Sequence, residues 1–312
     1  MLIRTMQTII GTAIDQAVRL LKAGEIAALP AETVYGLAGN ALDSNAIAKI
    51  FAAKNRPQDN PLIVHVSDME MVSRLELEIP PLAEKLAERF WAGALTIVFK
   101  KTKKSLIPTE ISCGLDSVAV RVPANEIFLE IIRQCGFPLA APSANLSGNP
   151  SPTTAKHVYD DLNGRIPLII NGGNCEIGIE STVITLENNQ IRILRPGAIT
   201  PEMLSEFAEV VVDDKESSLS PGTRHKHYSP KAEVIAVSAE SEQAFTDYIG
   251  ETKFAVANPD MQTLFAELRR FDEQDADRIY IRLPETSGVG LALYNRIIRA
   301  AEFKIIEVGK NK

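Results

Sequence analysis

The chain has 312 residues, 45% hydrophobic and 23% charged, with a formal net charge of −7. That length exceeds one ordinary core and predicts two domains, and the composition is that of a globular protein. No run of 18 apolar residues occurs, so no membrane span is expected, and the acidic balance argues against a surface built mainly to hold nucleic acid.

The opening "MLIRTMQTIIGTAIDQ" turns polar too soon for a secretory leader. Cys113, Cys135 and Cys175 are far apart and not in C-x-x-C spacing. Disulfides and structural zinc are therefore not expected, and a reducing cytoplasm is the expected location. In chain order, "GEIAALP" (24–30) reads as a buried strand. "SNAIAKIFAAK" (44–54) reads as a helix with Ser44 as its N-cap. "PLIVHV" (61–66) is a strand and "PPLAEKLAERFW" (80–91) an amphipathic helix opened by prolines. Strands follow at 95–101, 117–122, 166–171, 181–186 and 191–195. Several of them succeed one another without a helix between, which predicts an α/β domain with a mixed sheet over residues 1–212.

The composition then changes. Residues 213–231, with "SPGTRHKHYSP", read as a linker. Residues 232–312 alternate strands ("AEVIAV", "KFAVAN", "RIYIRL", "KIIEV") with helices near 241–249, 260–270 and 289–301, a small β/α domain.

Four stretches carry residues suited to chemistry, each where a strand meets a loop: "PAETVYGLAGNA" (30–41), "AKNRPQDNPLIVHV" (53–66), "AAPSANLSGNPSPTT" (140–154) and "INGGNCEIGIESTVITL" through "RILRPG" (170–197). They bring Lys54, Arg56, Arg121 and Arg195 near strand ends, with hydroxyls and an amide from Ser143, Asn145, Ser151 and Ser181. Arginine forks suit phosphate or carboxylate. No Walker loop and no G-x-G-x-x-G opens a helix, so a bound nucleotide needs another kind of cradle. The four histidines, His65, His157, His225 and His227, are not spaced as a metal cluster. Each feature taken singly also has a structural reading. Lys54 suits a helix C-terminus, Arg121 an outward strand position, His65 a packed strand, and the Ser/Pro/Asn stretch a plain turn.

The order of the motifs narrows this. P-x-E-T-V-Y-G-L (30–37), K-N-R-P-x-x-N-P-L (54–62), A-V-R-x-P (119–123), P-S-A-N (142–145), G-x-x-S-T (178–182) and R-P-G (195–197) together resemble the YrdC-type threonylcarbamoyl-AMP synthases. "SPGTRHKHYSP" followed by a small domain resembles the two-domain form. The resemblance implies a YrdC-like domain with a twisted mixed sheet plus a small C-terminal Rossmann-like β/α domain. It implies a nucleotidyltransferase making threonylcarbamoyl-adenylate and pyrophosphate from L-threonine, bicarbonate and ATP, with Mg2+ on the triphosphate. A downstream threonylcarbamoyl-transferase complex would then modify tRNA beside the anticodon, with no stable nucleic-acid binding required of this chain. By the same resemblance Thr33, His65, Arg121, Ala141 (through its backbone) and Ser181 fall where the family binds L-threonine. Arg56, Asn60, Ser117, Ser143, Ser151, Arg195 and His225 fall at ATP, with Lys54 and Arg56 as catalytic cations. The chain departs from the pattern at Ala31, usually threonine, and at His225, usually a linker tyrosine. The linker is expected to close over the nucleotide. Two other readings fit a YrdC-like concavity: a module that holds tRNA directly, which the net charge opposes, and a hydrogenase-maturation carbamoyltransferase, which would add Cys-rich zinc motifs absent from this sequence.

Overall fold

The structure, a computed structural model, describes residues 7–212 and 227–309. The chain runs through β1 (Ile9–Gly11), α1 (Ile14–Lys22), β2 (Ala27–Leu29), β3 (Gly36–Asn40), α2 (Ser44–Lys54), β4 (Ile63–His65), α3 (Met69–Ser73), β5 (Leu77–Glu78) and α4 (Pro81–Phe90). It continues with β6 (Leu95–Lys101), α5 (Thr109–Ser112), β7 (Ser117–Arg121), α6 (Glu126–Cys135), β8 (Leu139–Ala140), α7 (Ala155–Leu162), β9 (Leu168–Ile170), β10 (Thr182–Glu187), β11 (Gln190–Arg195), α8 (Pro201–Ser205) and β12 (Val210–Val212). The second unit holds β13 (Glu233–Ala239), α9 (Glu242–Ile249), β14 (Ala255–Val256), α10 (Leu264–Glu273), β15 (Arg278–Arg282), α11 (Gly290–Ala300) and β16 (Ile305–Val308).

The first unit is built on a 12-stranded mixed sheet in the order β1-β9-β2-β3-β8-β4-β7-β6-β10-β11-β12, with β5 paired to β6. The second is a parallel four-stranded sheet, β14-β15-β13-β16, flanked by helices. The α/β class expected from the sequence is therefore what forms. Among the described residues no helix is long and apolar enough to cross a membrane.

Strand alternation assigns the two faces of the main sheet. Val64, Ile97, Phe99, Val118, Val120, Ile184 and Ile193 enter the large core under the helices. Their neighbours Ile63, Val98, Ala119, Val183 and Leu194 point the other way and form a separate apolar strip. The strands are hydrophobic on both faces, so they read as continuous apolar runs in the sequence.

Two elements differ from the sequence expectation. The stretch after Thr33 is not only a loop: Gly36-Leu-Ala-Gly-Asn forms β3, antiparallel between β2 and β8. It has no β-branched residue to signal a strand. Its small residues serve packing instead, since a Cβ at Gly39 would lie 3.1 Å from Ile50 and 3.2 Å from Ile26. The N-cap of α2 is Asp43, whose carboxylate accepts from the Asn45 N–H, and Ser44 is the first helical residue. The amphipathic helices α1, α6 and α7 go beyond the sequence expectation and cover the main sheet.

The two units share a core. Val34 and Ile179 of the first pack with Tyr228, Phe265 and Ile297 of the second. Gly178 lies at that seam with φ +83°, and a Cβ there would fall 2.5 Å from the Gln262 Cα. Gly173 has the same φ but nothing within 4 Å of its would-be Cβ. Gly173→Ala should therefore cost only the backbone strain, about 1–3 kcal/mol, while Gly178→Ala should cost more because main chain must move. Denaturant unfolding of both variants checks this, and equal losses would show that the units do not press together at Gly178.

Candidate functional site

One end of the apolar strip is ringed by polar groups. β4 and β7 pair in register His65↔Arg121, which sets an imidazole beside a guanidinium on the strip's face. Thr96 of β6 and Ser181, just before β10, meet on the same face, hydroxyl to hydroxyl at 2.7 Å. Arg195 arrives by a register shift. Val183 pairs with Arg195, but Ile184 pairs with Ile193, leaving Leu194 as an extra residue. A β-bulge of this kind lets two consecutive side chains share a face. Leu194 thus joins the apolar strip while Arg195 points into the polar end.

Thr33, Arg56, His65, Arg121, Ala141, Ser143, Ser181 and Arg195 line one cavity of about 60 Å³, with Glu180, His227 and Tyr228 in its wall. Arg121 is buried, and its Nε donates to Gly93 O (2.9 Å), Nη1 to Thr33 Oγ1 (2.9 Å) and Nη2 to Glu32 Oε1 (2.5 Å). A guanidinium has five N–H donors; with three in use, two remain. Burial pushes the Glu32 carboxyl up, but the Arg121 charge and hydrogen bond outweigh it and hold it below its ordinary value. Glu32 Oε2 and His65 Nδ1 are buried without a protein partner. Buried polar atoms are rarely left so, and His65 lines the cavity while Glu32 lies behind Arg121. His65 stacks on Phe128 at 5.1 Å, and burial together with the Arg121 charge pushes its pKa down to about 3, so it is a neutral imidazole.

The opposite wall is cationic. Arg56 donates from Nε to Asn60 O (3.1 Å) and from Nη2 to Pro61 O (2.8 Å). Burial lowers its pKa to about 10, which leaves it charged at neutral pH. Arg195 donates from Nε and Nη2 to Ser181 O, and from Nη2 to Ser181 Oγ (3.2 Å).

Several expected residues stand elsewhere. The Lys54 ammonium is buried behind the 142–147 loop, donating to Ser143 O and Asn145 O (2.6 Å for the latter), so it supports the loop rather than lining the cavity. Asn60 is buried beneath Arg56, and the Ser151 hydroxyl is bound to Glu180 Oε1; neither lines the cavity. Ser117 lies at the far end of β7, beside Lys100 and Thr185, but on the same face as Ala119 and Arg121. The Ala141 N–H is already donated to Ile63 O (3.0 Å), leaving its carbonyl for any ligand. His225 lies outside the described residues.

The family model for Sua5, YciO and YrdC proteins, described as "Telomere recombination", matches residues 19–197. The chain belongs to the Sua5/YciO/YrdC family. A second model, described as "Threonylcarbamoyl-AMP synthase, C-terminal domain", matches residues 199–302 of this Sua5-type chain. It is 40% identical to the threonylcarbamoyl-AMP synthase of Pyrococcus abyssi, over 94% of this chain and 95% of that protein. It is 39% identical to that of Bacillus subtilis, over 94% of each. The crystal structure of P. abyssi Sua5 complexed with L-threonine matches with a TM-score of 0.88 at 38% identity, covering 97% of this chain and 99% of that one.

Sequence reasoning on this Sua5-type chain missed Glu32, Phe128, Glu180, His227 and Tyr228. Glu32 and Glu180 each precede a residue that was read, Thr33 and Ser181, so their motifs carried the signal. His227 and Tyr228 lie in the linker motif two and three residues beyond His225.

Burial and a neighbouring arginine push His65 and His227 down to about 3 and His157 to about 4. An unfolded chain takes up protons at imidazoles below about pH 6.5 that these folded ones refuse. Their contribution to stability is complete above that pH and is lost on acidification. The urea midpoint should therefore fall between about pH 7 and pH 5, with a shallower slope in His65→Gln. Parallel slopes in the two proteins would show that His65 does not stay neutral in the fold.

Proposed function

We propose that this chain is an L-threonylcarbamoyladenylate synthase, joining L-threonine, bicarbonate and ATP into threonylcarbamoyl-AMP and pyrophosphate, with loss of water. The observation that carries this reading is the buried, partnerless His65 Nδ1 beside the unused donors of Arg121, in a cavity that also takes in Arg56 and Arg195. An α-amino acid bearing a hydroxyl needs an anion partner, a cation partner and hydroxyl contacts. Arg121 meets its carboxylate with the two free N–H groups, and Thr33, Ser181, His65 and the Ala141 carbonyl surround the rest. The similarity to relatives named threonylcarbamoyl-AMP synthase supports the same assignment.

The reaction asks for placement rather than for a protein nucleophile. The threonine amine takes up the bicarbonate carbon as a carbamate. A carbamate oxygen then bonds to the α-phosphorus while the bond to the pyrophosphate oxygen breaks. Arg56, Arg195 and Ser143 meet the phosphates and stabilise the charge on the departing pyrophosphate. The nucleoside lies along the Ile63, Val98, Ala119, Val183 and Leu194 strip toward Ser117, four strand residues or about 13 Å from Arg121. Asn60, Ser151 and Lys54 act from behind, by holding Arg56, Glu180 and the Ser143 loop. With His227 and Tyr228 in its wall the cavity, at about 60 Å³, is far below the roughly 300 Å³ minimum of small-molecule sites, so it takes only part of the substrates and the nucleoside lies outside it.

Among the described residues no cluster of three His, Cys, Asp or Glu could hold a metal ion, and Glu32 and Glu180 are each paired with an arginine. Mg2+ enters with ATP, held by the phosphates. The product is a hydrolysis-prone mixed anhydride, so a transferase complex acting on tRNA consumes it in the cytoplasm.

The test is pyrophosphate release by the full chain with ATP, bicarbonate and threonine and without tRNA. All three substrates should be required. A hydroxyl-reading site rejects an analogue lacking the hydroxyl more strongly than one lacking a methyl, so serine should be a modestly poorer substrate and 2-aminobutyrate a far poorer one. Tight tRNA binding without threonine-dependent pyrophosphate would replace the enzyme reading with the binding-module one. Arg56→Ala and Arg195→Ala should each weaken ATP use about ten- to a hundredfold, the loss of a charge-assisted bond of about 1.5–3 kcal/mol, with threonine binding alone little changed. Near-normal ATP kinetics in both would move these arginines to a structural role.

A further inference from the structure

An arginine of the second unit reaches the back of the site. Arg296, on α11, is fully buried. Its Nε donates to Glu180 Oε2 (2.9 Å), Nη1 to Pro196 O (2.8 Å) and Nη2 to Glu180 O (3.3 Å). Its guanidinium also lies 5.5 Å from the centre of the Tyr228 ring. Glu180 directly precedes Ser181, and Pro196 directly follows Arg195. Arg296 therefore holds the chain just before β10 and just after β11, beside Ser181 and Arg195.

The charge is as important as the contacts. Glu180 is a buried carboxylate in the wall of a cavity meant for anions. Burial pushes its carboxyl up, but Arg296 and then Arg195 outweigh that and keep it ionised. The Ser151 hydroxyl satisfies its second oxygen without neutralising it. Among the described residues, the cation that acts on Glu180 after Arg296 is Arg195, one of the two guanidiniums facing the phosphates.

We propose that Arg296 is a positioning residue for the nucleotide half of the site: it neutralises Glu180, so that Arg195 stays on Ser181 and keeps its charge for the polyphosphate. The second unit thus supplies a required charge to the first without touching substrate. This rests on the reading that ATP binds at Arg56 and Arg195.

The experiment measures ATP and L-threonine dissociation constants by calorimetry, and the KM for ATP, in the full-length wild type, Arg296→Gln, Arg296→Lys, Glu180→Gln and the Arg296→Gln/Glu180→Gln pair. Arg296→Gln should weaken ATP at least about tenfold, as expected for exposing the site to an uncompensated charge, and should affect threonine much less. Arg296→Lys, which keeps the charge but not the fork, should fall between it and the wild type. The double variant should bind ATP more tightly than Arg296→Gln alone, because the carboxylate that Arg296 neutralised is gone. A double variant no tighter than Arg296→Gln overturns the proposal, as does a threonine loss equal to the ATP loss, since both are what a purely structural clamp gives. If Arg296→Gln does not fold, Arg296→Lys with and without Glu180→Gln decides: a weaker double variant rejects the proposal and an equal or tighter one supports it. A wild type that binds no ATP instead sinks the functional reading beneath it.

Discussion

Burying a guanidinium or ammonium costs several kcal/mol unless its hydrogens find acceptors. Lys54, Arg56, Arg121, Arg195 and Arg296 are all buried in and around one site. Most of their acceptors are main-chain carbonyls: Ser143 and Asn145 for Lys54, Asn60 and Pro61 for Arg56, Gly93 for Arg121, Ser181 for Arg195 and Pro196 for Arg296. Carbonyl dipoles solvate a cation without cancelling it. The two carboxylates, Glu32 and Glu180, pair with Arg121 and Arg296. Such an arrangement lowers the cost of burying the cations.

That solution dictates the local backbone. The accepting carbonyls come from chain just outside regular structure. Pro61 immediately precedes β4's hydrophobic entry, Pro196 follows β11, and Ser143 and Asn145 lie in a turn braced by Lys54. Proline there has a physical use: it has no N–H to satisfy while its carbonyl still accepts. The bulge in β11 belongs to the same design, since it turns Arg195 onto the strip's face without removing Leu194 from it.

The sequence made the cations legible because arginines at strand ends, beside prolines and small residues, have few other reasons to recur. It made Thr33, His65, Ser143 and Ser181 legible through their motifs. It hid the compensating carboxylates, because an acidic residue beside a motif reads as solvated surface until its partner is known, and Arg296 is 116 residues from Glu180. Lys54 and Ser151 show the limit of such motifs: a motif position says that a side chain matters, not whether it faces ligand or protein. The β3 strand escaped because Gly-Leu-Ala-Gly-Asn is chosen for close packing against Ile26 and Ile50, a tertiary demand that outweighs strand propensity. At the linker, attention to His225 passed over the His227-Tyr228 pair, whose partners, Arg56, Phe265 and Arg296, are distant in sequence.

The same charge logic explains why the second unit is packed so tightly onto the first. Low dielectric strengthens each interaction of a buried cation with an anion, but it also magnifies any stray carboxylate. Glu180 is such a carboxylate, and its neutraliser comes from α11. Arg269 of α10 does the corresponding work one layer out, pairing with Asp161, whose oxygens also accept from Leu146 N and Asn149 Nδ2 of the loop after Ser143. The first unit has a complete apolar core of its own, yet the electrostatic balance and loop geometry of its site are finished by arginines from outside it. Docking of the second unit is therefore coupled to the charge state of the cavity as well as to its shape.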